Sequence, residues 1–566
     1  MDKPSPIHTP VVIVGGGPVG LCLALFLNYY DIECTIINTG TEARMHPKGN
    51  GQNARTMEHY RQLGISDEIR KLGLPSDHPF DQAFFTRFCS HEIYRYPAPS
   101  WNERKNMRKT TPVTDQFPEP MFHVNQMYVE KYLFERVREC ENVDVRFGWE
   151  ANGFSQDDEG VSLTARKVDG AEEVTWRASY VVDCSGGRSS IRRSLGIEYA
   201  GDVQTKNAMW AGKFYTVWLR IPELYSKYVG DKRAWMYWAV NPDPDTRSVL
   251  IALNGRDEFE LLIKPRNASE GVNPEEIKTW IRQSIGADLE VDVLSYVPWT
   301  AGAALTVEQY QAGRVLLAGD AAHLFTPVGA FGMNTGVDDV HNLAWKLAAV
   351  LEGWGGPKLV DSYELERRPV GSRNTGAARK YSSKWHDPEI PNNIEADTPE
   401  GEAARKKAPG ISYIVNNHFN KPEELDCAGV QLGARYNDSP LIVPDGEPPM
   451  ESFPETYNKY CPSGVPGGRA PHIWLDDKRE IGSSLYDRLG KGFTLLRLDP
   501  TAGVDGLVKA AKARSMPMEV LDVELPEARE MYERSLVLIR PDKYIAWRGD
   551  ELPVDLAALL ALISGS

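Results

Sequence analysis

At 566 residues the chain is too long for one ordinary domain and predicts two or three, with ample length for a sizeable core. Its 42% hydrophobic and 25% charged content is that of a globular protein, and a formal net charge of −15 argues against nucleic acid or anionic membrane as a partner. Seven cysteines stand at no C-x-x-C or metal-ligand spacing, no apolar run approaches the roughly 18 residues that span a bilayer, and no secretory segment precedes the first strand, so a cytoplasmic setting without a metal site is expected.

The first element is a buried strand, Val11-Val12-Ile13-Val14, followed at once by Gly15-Gly16-Gly17-Pro18-Val19-Gly20 and a helix carrying Leu21, Leu25 and Leu27. A G-x-G-x-x-G run between strand and helix lets a pyrophosphate approach the backbone and sit on the helix amino end. Gly15, Gly17, Pro18 and Gly20 are therefore candidate dinucleotide contacts. The next strand, 34–37, should end in an acid that binds a ribose, but the position holds Asn38, whose amide lacks the strength of a charge.

From 80 to 120 the pattern turns irregular and rich in aromatics and prolines, which reads as an excursion into a second domain. Met121-Phe122-His123-Val124 then leads into an amphipathic helix through Tyr128, Leu133 and Val137, with strands expected at 143–147 and 161–165. Between 201 and 300, alternating runs at 214–221, 234–240 and 248–253 predict an antiparallel sheet with one covered face. Trp210, Tyr215, Trp235, Tyr237 and Trp238 gather aromatic surface there, a wall suited to a planar apolar ligand; two of the five are expected to face it and the others to be core.

The stretch from Gly313 to Ala348 organises the chain. Val315-Leu316-Leu317 is a short buried strand that breaks at Gly319-Asp320, where a carboxylate can accept from a sugar hydroxyl. Pro327, Gly329, Gly332 and Gly336 then lead into a helix through Leu343, Leu347 and Val350. Its amino end points N–H groups at something electron-rich, such as the pyrimidine edge of a reduced flavin, and favours an anion there by roughly 0.3–2 kcal/mol. The plain alternative is a glycine-rich connection that binds nothing. After it, the charged and proline-containing stretch 388–409 reads as a linker.

Four groups of residues carry a resemblance to a known family. They are the Gly313–Ala348 stretch, the segment HPKGNGQNARTME from His46 to Glu58, the run Tyr180 to Arg192, and a carboxy-terminal set that includes Pro466-Gly467-Gly468-Arg469-Ala470-Pro471-His472 and Val537 to Asp542. Together they resemble the single-component FAD-dependent aromatic hydroxylases built on the p-hydroxybenzoate hydroxylase fold, and above all the phenol, chlorophenol and 2-hydroxybiphenyl monooxygenase branch. The resemblance covers essentially the whole chain. It implies an α/β protein with a Rossmann-like FAD domain (1–79, 121–200 and 301–387) interleaved with an antiparallel-sheet substrate domain (80–120 and 201–300). A linker (388–428) would lead to a thioredoxin-like domain (429–566) lacking C-x-x-C, and the protein would be a homodimer.

The same resemblance assigns candidate roles. Asp320 would meet the ribityl chain, Gly332, Met333 and Asn334 would lie beside the flavin ring, Gln126 would touch the flavin, and Arg55 would lie near the FAD phosphates or flavin edge. Ser185 and Gly186 belong to a third motif serving FAD and pyridine nucleotide, where Ser185 replaces the usual Asp. Pro327 would help to close a dry pocket. Lys48 and Asn50 would face flavin or substrate, and His123 falls where some phenol hydroxylases carry an acid/base residue.

The implied reaction uses NAD(P)H to reduce FAD and O₂ to form a flavin C4a-hydroperoxide, which hydroxylates a phenolate, with His123 taking the phenol proton assisted by Lys48 or Asn50. No metal cluster or nucleophile motif competes with this reading. Two alternatives stand beside it: Baeyer–Villiger or epoxidation chemistry on a polyketide-like substrate, and a catalytically degenerate FAD-binding protein, suggested by Asn38 and Ser185.

Overall fold

The computed structural model describes residues 5–112, 115–203, 212–264, 272–383, 389–407, 427–447 and 457–566. Among them an eight-stranded sheet forms the first layer. Its path runs 311–312, Val315–Leu317, Glu173–Asp183, Ile7–Val14, Cys34–Asn38 and Val143–Phe147, with a meander of Trp149–Gln156 and Val161–Lys167 joined to Glu173–Asp183. The strands around Ile7–Val14 are parallel, so each must be reached by a crossover, and the helices Pro18–Tyr29 and Gln126–Arg138 provide two of these. Pro18–Tyr29 is apolar on nearly every side because it lies between this sheet and the long helix Phe331–Leu351.

The second layer is a seven-stranded sheet in the order Asp292–Ala301, Gly212–Arg220, Glu258–Ile263, Ser248–Ala252, Met236–Ala239, Gln82–Phe85 and Glu92–Tyr96. Its pairs are antiparallel except for Met236–Ala239 beside Gln82–Phe85. Period-two alternation divides its side chains between two cores. Tyr215, Val217, Leu219, Tyr237, Leu250 and Leu261 enter the main core, whereas Phe84, Phe214, Trp238, Val249 and Ile251 build a separate cluster on the opposite face.

The C-terminal part is a four-stranded sheet ordered Met518–Asp522, Phe493–Arg497, Leu536–Ile539 and Ile545–Gly549. The first pair is parallel and the other two antiparallel, with helices Asp505–Ala513, Pro526–Tyr532 and Leu556–Ile563 interspersed in the chain. This is the thioredoxin-like arrangement, and its Cys461 is exposed and unpaired.

The segment expected to be a plain linker is more than that. Pro399–Lys407 is helical, Ile394 is fully buried against the Phe84–Trp238 cluster, and Arg87 pairs with Glu395 at 2.6 Å.

Candidate active site

The amino-terminal strand turns at Gly15, whose φ of +112° a side chain rarely adopts; a Cβ there would lie 2.3 Å from the Cys184 carbonyl oxygen. At Gly20 it would lie 2.0 Å from the Gly15 oxygen, so the helix packs directly on the turn. Gly17 is the N-cap of Pro18–Tyr29, an end with no side-chain cap and no acid in its first turn, and nothing lies within 4 Å of where a Gly17 Cβ would stand. Bare N–H groups facing open space fit a pyrophosphate.

Asn38 ends its strand, but its amide is engaged by the turn rather than directed at a ribose. Oδ1 accepts from the Gly16 N–H at 3.0 Å, and Nδ2 donates to the Gly40 carbonyl at 3.2 Å. At the third motif the carboxylate missing from position 185 is present two residues earlier. Asp183, fully buried, accepts from the Ser185 N–H at 3.0 Å, the Ser185 hydroxyl at 2.5 Å and the Ser189 hydroxyl. Burial raises its pKa, and these donors oppose the shift. Gly186 follows at φ +91° with open space beside it. Arg192 lies 4.0 Å over the Tyr199 ring, and the Tyr199 hydroxyl donates to the Asp320 carbonyl, which ties the third motif to the second.

Asp320 leaves its strand in a short turn with 41% of its side chain exposed, 3.9 Å from a Lys48 ammonium that is 65% exposed. A pair this exposed contributes about 1 kcal/mol at most, so a ligand hydroxyl can displace it. Lys48 thus points at the cofactor side of the cleft rather than at the aromatic sheet.

The helix Phe331–Leu351 starts after Ala330, a left-handed residue at φ +54°, and its amino end also has no side-chain cap. Gly332 and Met333 are half-buried at that end. Asn334 is used for bracing: its Oδ1 accepts from the Asn53 N–H at 2.9 Å, and its Nδ2 donates to the carbonyls of Gly51 at 2.9 Å and Ala330 at 2.6 Å. Gln126 holds the same loop from the other side, its N–H donating to the Gly49 carbonyl at 2.9 Å. Pro327 is exposed; its neighbour Val328 reaches the Phe84–Trp238 cluster and closes that side.

Facing this loop, Trp238 stacks on Phe84 (ring centroids 5.5 Å apart) and Phe214 on Trp299 (5.2 Å). Trp235 stacks on His123 at 3.7 Å. Of the five aromatics, Trp238 is a buried member of this cluster, and Trp235 packs against both it and the main core. Tyr215 and Tyr237 point into the opposite core, where the Tyr237 hydroxyl accepts from the Ala234 N–H at 2.8 Å. Trp210 lies outside the described residues.

His123 corrects a second expectation. It lies in the short strand paired with Gly51–Gln52, the Asn50 backbone hydrogen-bonds its ring, and Nδ1 is sealed without a partner. Burial, with Arg104 adding positive charge, lowers its pKa to about 3. Against a phenol near 10 the mismatch is about 7 units, or roughly 10 kcal/mol. His123 is a stacking and hydrogen-bonding group and a poor base.

Arg55 likewise does not face the cleft. Its guanidinium is buried, donating to Asp338 Oδ1 at 3.1 Å, Glu58 Oε2 at 3.2 Å and the Asp542 carbonyl at 3.0 Å in the C-terminal domain. His59 bonds the same Asp338 oxygen at 2.8 Å and lies beside His341, a grouping with metal-like composition. Arg367 takes the other Asp338 oxygen at 2.6 Å, so the carboxylate is already neutralised by two guanidinium groups.

Sequence reasoning missed Glu260. It is buried, and Asn50 Nδ2 donates to its Oε2 at 2.6 Å and Asn125 Nδ2 at 3.2 Å. Burial raises its pKa to about 7 despite both amides. Its signal in the sequence is slight: Glu260 shares its parity with Glu258, while Phe259 and Leu261 on either side face the main core.

The two bare helix ends, the strained glycine turn and the exposed Asp320 together fit FAD. Comparison with known proteins agrees. The model described as FAD binding domain matches residues 8–378, and the one described as Aromatic-ring hydroxylase, C-terminal matches 463–566. The chain belongs to the FAD-dependent aromatic-ring hydroxylases. Among relatives, this hydroxylase is 31% identical to the FAD-dependent monooxygenase apdD of Emericella nidulans, covering 96% of this chain and 88% of that protein. It is 27% identical to the phenol 2-monooxygenase of Pseudomonas sp. (strain EST1001), covering 100% and 94%. Among solved structures, the hydroxylase matches the rebeccamycin biosynthetic enzyme RebC with reduced flavin at 33% identity and a TM-score of 0.85, covering 99% and 100%. It is an FAD-dependent monooxygenase.

Proposed function

We propose that this hydroxylase inserts one oxygen atom of O₂ into the ring of a phenolic aromatic substrate, with NAD(P)H as electron donor. The observation that carries the reading is the pairing of an FAD-type cleft with an aromatic sheet face across the 48–52 loop. FAD, when bound, supplies electron storage and oxygen activation. The pyrophosphate would lie on Gly15–Gly17 and the helix end at Pro18, the ribityl chain at Asp320, and the pyrimidine edge at the amino end of Phe331–Leu351.

The protein's own part is to place the ring and manage its proton. Half-buried Trp235 and Trp299, packed against the cluster built on the buried Phe84 and Trp238, offer flat surfaces against which a ring can lie, and Val328 with Ile394 keeps water from that face. Attack on the ring is electrophilic, so the phenolate reacts best. A phenol near pKa 10 is ionised about one part in a thousand at pH 7, and full ionisation costs about 4 kcal/mol. The site must hold that proton.

The test is NAD(P)H consumption and O₂ uptake by the FAD-loaded protein against a panel of substituted phenols, with H₂O₂ measured in parallel. Strong stimulation by one phenol class with little peroxide is expected; no stimulation by any phenol rejects the reading. The likeness to RebC, a biosynthetic enzyme, favours a second reading, in which a larger polycyclic or polyketide-like substrate undergoes ring hydroxylation, Baeyer–Villiger insertion or epoxidation. NMR of the product separates these isomeric insertions.

A further inference from the structure

The Glu260 carboxyl lies where the substrate sheet meets the flavin-side loop. On the strand Glu258–Ile263 it shares a face with Leu262. In the register of the sheet it stands opposite Ile251, which stands opposite Met236, while Leu262 opposes Val249 and Val249 opposes Trp238. Ile251, Met236, Leu262, Val249 and Trp238 all belong to the aromatic-walled cluster that Val328 closes from the FAD side. Glu260 is the acid in that grid.

It is also tied to the cofactor side. Asn50, which donates to its Oε2, precedes Gly51, and the Gly51 carbonyl is held by Asn334 at the amino end of the Phe331–Leu351 helix. A second amide, from Asn125 at the start of the Gln126–Arg138 helix, donates to the same Oε2 and to the Asn50 side-chain oxygen at 2.8 Å. Among the described residues both donors go to Oε2 and none to Oε1. Two fixed amides thus orient the carboxyl and leave one oxygen for another partner.

Its surroundings are nearly charge-free. The facing groups are the Asn50 and Asn125 amides, and beyond Asn50 lies the neutral His123. On its own strand Glu258 is occupied by Tyr128 at 3.0 Å, Trp218 at 3.2 Å and Arg220 at 3.3 Å. Lys48, on the same loop, is directed at Asp320. A buried carboxyl with no cation beside it is still partly ionised near neutral pH, so it can accept a proton, and it matches a phenol far better than His123 does.

We propose that Glu260, through Oε1, takes the proton of the substrate's ring hydroxyl, with Asn50 and Asn125 as positioning residues. The phenol O–H bond breaks, the Glu260 Oε1–H bond forms, and the electron pair stays on the phenol oxygen, so the ring enters the reaction as phenolate while the proton stays within the complex. This rests on the hydroxylase reading above.

The experiment uses the FAD-loaded protein without NAD(P)H and follows two signals as 4-nitrophenol is added below its own pKa: the phenolate absorption band and proton release reported by a pH-indicator dye. The wild-type protein is expected to develop the phenolate band without releasing a proton. Glu260→Gln keeps an oxygen that accepts from both amides, so a merely structural role predicts unchanged signals. Under the proposal, E260Q either leaves the phenol neutral or releases one proton per phenolate formed. In turnover its deficit should shrink at least tenfold between phenol and the more acidic 4-nitrophenol. If E260Q behaves as wild type in band and proton release, the Glu260 assignment fails while the hydroxylase reading stands. If wild type binds no phenol of the panel, both fail.

Discussion

Glu58 and Arg469 meet as a fully buried ion pair between the helix Ala54–Gln62 and the C-terminal domain, 411 residues apart in the chain, with Arg469 Nε 3.3 Å from Glu58 Oε2. Neither charge has water to fall back on. Glu58 is bound at the same time by Arg55, and Arg55 bonds the Asp542 carbonyl, so the two domains share a sealed charged seam.

Breaking that seam should cost more than removing it. Glu58→Gln or Arg469→Met alone is expected to destabilise the protein by about 3–5 kcal/mol, because each strands a buried partner. The double variant should lose distinctly less than the sum of the two. Urea unfolding of the four proteins measures this cycle, and strict additivity would mean that the pair is not coupled.

The parity of the substrate sheet separates two neighbouring aromatics. Tyr237→Ala opens a cavity in the main core and should cost about 3–5 kcal/mol in the same assay. Trp238→Ala, also buried and stacked on Phe84, opens a comparable cavity in the second cluster, and unlike Tyr237→Ala it should in addition raise substrate KM and the fraction of oxygen lost as H₂O₂. Unchanged KM for Trp238→Ala would contradict the assignment of faces.

Asp320→Asn keeps the shape of the side chain and removes the charge. Loss of a charge-assisted bond to a ribityl hydroxyl is expected to weaken FAD binding by about 1.5–3 kcal/mol, or 10- to 150-fold. Fluorescence titration of the apoprotein with FAD reads this directly, and unchanged affinity would remove Asp320 from the binding set.

Burial makes the fold acid-sensitive in a defined window. His59 and His123 are held to about 3, against an ordinary 6.5, and His341 and His472 also lie well below it, all chiefly through burial. Above pH 6.5 these rings are neutral in both folded and unfolded chains. Below it the unfolded chain takes up protons that the folded one refuses, so stability falls with pH from 6.5 towards 3, by up to about 1.4 kcal/mol per pH unit for each histidine. The urea midpoint should therefore drop between pH 7 and pH 5. His341→Gln should flatten that drop, whatever its cost at pH 7.

The fold was largely legible because it rests on local signals: a glycine run between strand and helix, alternation in the sheet, and a strand breaking at Gly319-Asp320. The face of a residue within the sheet was harder. Tyr215 and Tyr237 read as wall candidates by composition, yet a shift of one position decides the side, and only the register supplies it. Arg55 was misread because its true partners, Asp338 and Asp542, lie 283 and 487 residues away. His123 stood as a base through the family resemblance, but its pKa depends on burial and on the charge of Arg104, neither visible in its sequence neighbours. Glu260 escaped because a lone acid in a strand ordinarily reads as a solvent-facing residue.

The seam also fixes an order of events during synthesis. Arg55 leaves the ribosome 487 residues before the Asp542 carbonyl that completes its bonding, a delay of about 25–100 s at the usual rate of about 5–20 residues per second. Through that interval Glu58 lacks Arg469, and the helix that carries both early partners cannot be sealed from water. The nascent amino-terminal two-thirds must wait for its last hundred residues, so a premature stop near the end of the message would leave a long, incompletely buried polypeptide for the cell's quality control rather than a working shorter enzyme.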